Sequence, residues 1–447
     1  MAQDSQRPAS AEPTAANSAG LSHAWRALRH RNFRLFFGGQ TISLIGTWMT
    51  RVATSWLVYR LTKSSLLLGT VGFAGQIPTF LLAPLAGVIV DRIDRRKVLV
   101  WTQTLAMVQS LALAWLTLSH RITIAEVLVL SAMQGIINAF DMPGRQSFMI
   151  RMVEDRADLS NAIAINSSMV NAARLLGPSL AGLLIAATNE GWCFLVDGVS
   201  YIAVIASLLM MRITHDAPQH HGATMLEQLR QGWDYVAASL PIRSILMLFA
   251  LISLMGWPFM VLMPIFAAQV LHGGPHTLGF LMGAVGVGSL ISALSLVVRR
   301  SVRGLLKIIP AGATLFGIGL VAFGFSNSIW LSIPMMFLTG FGMMQGVTTS
   351  NTILQTLVDE KMRGRVMSYY TMAFVGMAPF GSLLAGALAH AIGAPRTVII
   401  SGIACIIGAF WFWSRMTQIR TVMRPIYQRL GIVPSPEIVA VEEAAEG

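Results

Sequence analysis

Two arginines lie deep inside apolar stretches of this 447-residue chain, Arg51 in Phe33–Tyr59 and Arg174 in Leu159–Thr188. A guanidinium holds anions through paired N–H donors and lies readily over aromatic faces. Trp48 and Trp56 flank Arg51, so Arg51 with Trp48 can bind an anionic or polyphenolic molecule. The competing assignment pairs Arg51 structurally with Glu126 or Asp197. Arg174, with Gly177 and Pro178 just after it, is assigned to helix kinking and packing. Three carboxylates could carry a proton, Asp141, Asp197 and Glu126, with His390 a weaker fourth; none stands at the centre of an apolar stretch. Gln40, Asn138, Gln345 and Asn351 are polar positions suited to lining a cavity, with Trp257, Met260 and Met343 as an adaptable apolar wall.

These residues need elements to hold them, and composition says which. Apolar residues make up 54% of the chain and charged residues 12%, and mean hydropathy is positive. A membrane-crossing helix takes roughly 20 apolar residues, and such stretches recur along nearly the whole chain. Twelve are expected, running from Phe33–Tyr59 to Thr397–Ser414. They fall into a first bundle over 33–212 and a second over 242–415. A tail over 1–32, a linker over 213–241 with an amphipathic helix, and a tail over 416–447 are expected outside the membrane. The first residues read as disordered. In the linker, Thr224-x-x-Glu227 has capping-box spacing, and Met225, Leu229, Trp233 and Val236 form one apolar face.

Of the 32 Lys and Arg, only Arg60, Lys63, Arg121 and Arg396 fall in the loops on one side, Arg51 and Arg174 fall in spans, and the rest share the other side. This bias puts both termini in the cytoplasm and sets the basic surface against anionic lipid headgroups. Basic residues shared among alternate loops exclude a nucleic-acid-binding patch. Cys193 and Cys405 both lie in apolar stretches and make no disulfide framework. No His-Glu-x-x-His, no Gly-x-Ser-x-Gly and no cluster of metal ligands is present, so an enzyme is excluded and no cofactor is expected. The first half also echoes in the second. Met152-Val153-Glu154-Asp155 with Gly177-Pro178-Ser179-Leu180-Ala181-Gly182 matches Leu357-Val358-Asp359-Glu360 with Gly381-Ser382-Leu383-Leu384-Ala385-Gly386. Duplicated halves of this kind enclose a midplane site in many secondary transporters.

Between the second and third stretches stands Gly87-x-x-x-Asp91-Arg92-x-Asp94-Arg95-Arg96. Gly87 permits close helix approach, Asp91 can accept from a helix N-terminus, and Arg92, Arg95 and Arg96 can reach carboxylates or headgroups. Together they suit a conformational latch. The motif resembles the signature of the major facilitator superfamily, with Asp94 where Gly is common, a change expected to loosen the turn. The equivalent Arg299-Arg300-Ser301-Val302-Arg303 lacks the acid. The Gly-Pro stretch at 177–182 resembles a degenerate form of the motif of exporting facilitators. Trp48-Met49-Thr50-Arg51, Asp141-Met142-Pro143-Gly144-Arg145 and Asp359-Glu360-x-x-Arg363-Gly364-Arg365 resemble one branch, the enterobactin-exporter-like or transmembrane secretion effector group, across about Phe33 to Arg415. The resemblance implies the all-α major facilitator fold in two pseudo-symmetric six-helix bundles in a bacterial inner membrane. It further implies a monomer exporting a siderophore- or drug-like small molecule by alternating access, with protons as coupling ion. An uptake symporter of the same fold differs only in direction. The permease of an ATP-driven system is disfavoured by the duplicated plan.

Overall fold

A computed structural model of the chain describes residues 26–149, 152–153, 155, 158–212, 225–297 and 304–429. It is helical throughout the described residues, as hydrocarbon demands of any chain that must satisfy its backbone N–H and C=O groups internally. The first bundle comprises α1 (Arg31–Thr62), α2 (Ser65–Arg92), α3 (Arg95–Leu118), α4 (Ile124–Met149), α5 (Leu159–Ala187) and α6 (Glu190–Met210). The linker helix α7 spans Met225–Ala238. The second bundle comprises α8 (Leu240–Val270), α9 (Pro275–Val297), α10 (Leu305–Phe325), α11 (Ile329–Leu357), α12 (Glu360–Ile392) and α13 (Ala394–Ser414), followed by α14 (Met416–Arg429).

Ten of the twelve expected spans are long and apolar enough to cross a membrane. The two that fall short, α1 and α11, are 32 and 29 residues long, so length is not what they lack. Each carries a polar series: Gln40, Ser43, Thr47, Thr50 and Arg51 on α1, and Gln345, Thr348, Thr349, Ser350 and Asn351 on α11. Side chains of that kind lower hydropathy where a helix faces an interior space instead of lipid.

The halves repeat one packing scheme. In the first, α2 packs on α4 and α3 on both α4 and α6; in the second, α9 packs on α11 and α10 on both α11 and α13. Two crossed seams join them, α2 against α12 and α5 against α9. Both depend on glycine. A Cβ at Gly69 would lie 2.9 Å from the Cα of Gly386, and one at Gly182 would lie 2.8 Å from the Cα of Gly279; no side chain fits between backbones that close. Each glycine of these pairs lies toward the end of the bundle opposite the chain termini.

Several local expectations are corrected. Asp94 does not loosen the turn after α2: it is the N-cap of α3, and its side chain accepts from the backbone N of Arg96 at 2.9 Å, satisfying an orphan donor. Helical structure begins at Arg26, inside the expected tail, and α14 occupies the start of the other tail. Met416, Ile419 and Met423 are its buried face. On α7, three residues apart and so on one side of the helix, Val236 is buried and Trp233 exposed. The ring of Trp233 instead lies 5.9 Å from that of Tyr369 on α12. Tyr235 donates to Asp359 at 3.2 Å and Arg365 donates to Gln231 at 2.7 Å, so the linker helix is docked on the second bundle. The side chains of Met225 and Leu229 fall outside the described residues, as do Thr224, Glu154, Arg299–Arg303 and the outer parts of both tails.

The prolines within α8 and α12 leave the spans continuous but change their winding. Wider π turns occupy Ile252–Gly256 and Phe266–Val270 of α8 and Met372–Gly376 of α12. Pro258 and Pro379 follow the first and last of these closely. A proline has no N–H for the carbonyl one turn back, and the register slips; Trp257 N donates to Ile252 O at 2.9 Å. Turns of this kind concentrate at functional sites.

Candidate functional site

On α1, Arg51 is exposed although it lies mid-helix. Ile42, nine residues earlier and also exposed, sits two and a half turns away, on the opposite side of the helix. One of these faces meets lipid and the other the interior, and the guanidinium belongs to the interior. Its Cζ lies 4.7 Å from the centre of the Trp48 ring. A second cation joins it: the Cζ of Arg174 lies 5.4 Å from the same ring centre. Gly177 explains how. A Cβ there would collide with the Cβ of Trp48 and lie 3.0 Å from Ile45 O, so only glycine lets α5 close on α1 at this level. That contact places Arg174, one turn earlier, beside Trp48. Gly177 thus sits at the α1–α5 contact, and the carbonyl of Pro178 lies 2.8 Å from where a Cβ of Gly279 would be. Among the described residues neither arginine has a carboxylate partner within ion-pair distance, and the Nε of Arg174 is buried without a hydrogen-bond partner.

The alternative pairing of Arg51 with Glu126 or Asp197 is not made within ion-pair distance. Glu126 folds back on the start of its own helix and accepts from Thr123 N at 2.7 Å and Thr123 Oγ1 at 3.1 Å. Asp197, 2% exposed, accepts on Oδ2 from Thr50 Oγ1 at 2.8 Å and Ser110 Oγ at 3.1 Å. Its Oδ1 is buried with no partner and points at Gly46 of α1, where a Cβ would lie 2.8 Å away. Asp141 is saturated: Thr102 and Gln103 donate to Oδ1 at 3.0 and 2.7 Å, and Arg145 pairs with Oδ2. His390 is exposed in the last turn of α12.

The remaining polar candidates bond to partners other than Arg51 or are buried. Gln40 is buried at 2% exposure. Asn138 on α4 accepts from Gln134 at 3.2 Å. Across the molecule Gln345 donates to Ser295 of α9 at 2.9 Å, and Asn351 accepts from Gln355. In the expected latch, a Cβ at Gly87 would meet nothing within 4 Å, so the close approach argued for that glycine is not made in this conformation. Arg96 donates to the carbonyl of Leu209, in the last turn of α6, where a cation complements the helix dipole. The side chains of Asp91 and Arg92 lie outside the described residues.

Three ion pairs on two carboxylates escaped sequence reasoning because their partners are remote in the chain. Arg60 binds Glu190 through two N–H groups, at 2.8 and 3.2 Å, tying α1 to the start of α6. At the opposite end Asp158 holds both Arg26 and His30 at 3.1 Å. Asn32 donates to Arg212 O at 2.9 Å and accepts from Arg212 N at 3.1 Å, so the first bundle is closed at the terminal end by its own first and last residues.

The model of the transmembrane secretion effector family matches residues 22–426. The staphyloferrin A transporter of Staphylococcus aureus is 28% identical, with 87% of this chain and 97% of that protein covered. The enterobactin exporter EntS of Citrobacter koseri is 24% identical over 89% of this chain and 94% of its own. Among solved structures, a bacterial homologue of the human lysosomal transporter Spinster superposes with a TM-score of 0.66 at 13% identity, covering 93% of this chain and 99% of that one. That likeness shows the major facilitator fold.

Proposed function

The chain belongs to the transmembrane secretion effector family, and from that premise we propose that it exports an anionic small molecule from the cytoplasm by alternating access. It is a multi-pass membrane transporter and not an enzyme. The observation that carries the proposal is the pair of cations on Trp48: charge inside a bundle is costly unless it serves a ligand or a partner, and among the described residues neither has an acidic partner within ion-pair distance. Two relatives, named for staphyloferrin A and enterobactin, support a siderophore-like cargo, and a multidrug efflux pump of Mycolicibacterium fortuitum at 24% identity supports a site that tolerates several shapes.

The termini and the basic loops are taken as cytoplasmic. Both glycine seams then close the outer side, and the interior opens toward the cytoplasm, the state in which an exporter loads. Gly87, with nothing packed on it, fits a latch that engages only in the opposite state. The chain is read as working alone, as a monomer. For proton coupling, Asp197 is the carboxylate best placed: buried, hydrogen-bonded to Thr50, the residue beside Arg51 on α1, and with one oxygen still without a donor. Asp141 and Glu126 are read as structural.

That same proximity favours a second reading. A proton on Asp197 and an anion at Arg51 assist each other's binding, a linkage suited to movement of both in one direction. Everted membrane vesicles separate the two. With an imposed proton gradient, an exporter accumulates an anionic siderophore in the vesicle interior and an uptake symporter does not. Arg51→Gln in correctly folded protein should abolish that transport; unchanged transport would sink the proposal.

A further inference from the structure

Arg51 and Arg174 stand beside one indole ring, their guanidinium carbons 4.7 and 5.4 Å from its centre. They can be no further apart than those two lengths laid end to end. Like charges at that range repel, yet neither has an acid within ion-pair distance among the described residues, and one N–H of Arg174 is buried without an acceptor. The nearest acid, Asp197, is turned to Thr50 and Ser110. A site for a single anionic group would need only Arg51. The second cation, brought in by an α5–α1 contact that only Gly177 permits, introduces like-charge repulsion with no compensating acid among the described residues.

We propose that Arg51, Trp48 and Arg174 form one cradle for a substrate carrying two anionic groups, one on each guanidinium, with the part between them lying along the indole. This rests on the anion-transport reading and refines its substrate class. Each guanidinium offers a planar fork of donors matched to a carboxylate. The indole between them sets a span, so the cradle discriminates by the distance between the two charges. Arg174 also lies at the α5–α9 seam, its carbonyl 3.2 Å from where a Cβ of Gly286 would be. A substrate held by Arg174 thus touches the helix that meets the other half of the molecule.

The test uses the full chain in lipid nanodiscs and a series of linear dicarboxylates, malonate to suberate, each against the monocarboxylate of equal length. Ligands of the folded state raise its unfolding temperature by mass action. The expected result is that dicarboxylates stabilise at tenfold or more lower concentration than their monocarboxylates, with an optimum chain length. In Arg174→Gln the dicarboxylate advantage and the optimum disappear while the weak monocarboxylate response remains; Arg51→Gln loses both. Arg174→Lys keeps the charge without the fork and retains part of the advantage, which covers the case in which the glutamine variant fails to fold. Equal response to one and two charges, or an advantage that survives in Arg174→Gln, overturns the cradle and leaves the anion reading standing. No response to any anion, with stabilisation by neutral compounds, overturns both.

Discussion

At the scale of single residues, a charge in an apolar run is the strongest signal this sequence offers, and Arg51 was legible for that reason. Its partner was not. Arg174 reaches Trp48 only because α5 closes on α1 at Gly177, a tertiary contact with no local signature. The carboxylates show the same limit, since a sequence ranks Asp141, Asp197 and Glu126 alike while hydrogen bonds separate them. Asp197→Asn should therefore leave stability nearly unchanged, because the amide oxygen still accepts from Thr50 and Ser110. Transport should lose its response to an imposed pH gradient. A retained response in vesicles would remove Asp197 from the coupling. Arg60→Ala should behave in the opposite way, with substrate recognition intact and stability lowered. It strips both donors from a Glu190 that is 2% exposed, at a cost of about 1–3 kcal/mol for a buried group left unsatisfied. A fall in unfolding temperature without loss of binding is the expected pattern, and an unchanged unfolding temperature would mean water takes the place of Arg60.

At the scale of elements, hydropathy marked the spans well and said little about how they wind or meet. The π turns at Ile252–Gly256 and Met372–Gly376 follow from Pro258 and Pro379, whose missing N–H groups are visible in the sequence, but whether a proline kinks, widens or merely packs is decided by its neighbours. The apolar face of α7 is legible as a helical wheel, but that Trp233 meets Tyr369 of α12 is a tertiary contact the wheel does not contain. In α14 the spacing of Met416, Ile419 and Met423 is an amphipathic pattern that a search confined to long apolar runs passes over. The crossed seams are the most testable part of the assembly. Gly69→Leu puts a branched side chain where Gly386 and the Ser382 carbonyl already touch the helix, and overpacking of this kind costs about 1–3 kcal/mol. Because the opposing surfaces belong to different halves, the molecule can relieve the strain by separating them on that side. The expected outcome is faster modification of a cysteine introduced at Gln76, just inside the seam, by a membrane-impermeant reagent applied from the side opposite the termini. The native Cys193 and Cys405 are both buried and give no background. Unchanged labelling would show that the seam does not close that side.

At the scale of the whole molecule, charge is distributed unevenly between halves that pack alike. Arg51, Arg174, Asp141 and Asp197 all lie in the first, while among its described residues the second presents an apolar and amide-bearing wall. A transporter that offers only cations to its cargo must itself move negative charge outward when it exports, and the membrane potential acts on that charge. Each elementary charge crossing 100 mV is worth about 2.3 kcal/mol, so a doubly charged cargo gains about 4.6 kcal/mol from the potential alone. A proton moving inward through Asp197 would add to this current and not cancel it. Vesicles clamped with a potassium gradient and valinomycin should therefore release a dianionic substrate faster as the loading side is made more negative. The neutral diester of the same molecule should respond more weakly, because only the coupled proton then carries charge across the membrane. In Asp197→Asn the dependence on pH should vanish while the dependence on potential remains, because the second belongs to the cargo and the first to the carboxylate. Transport of the dianion that ignores the potential would mean that compensating positive charge leaves with it. The two-arginine site would then be serving a complex of anion and cation instead of a free anion.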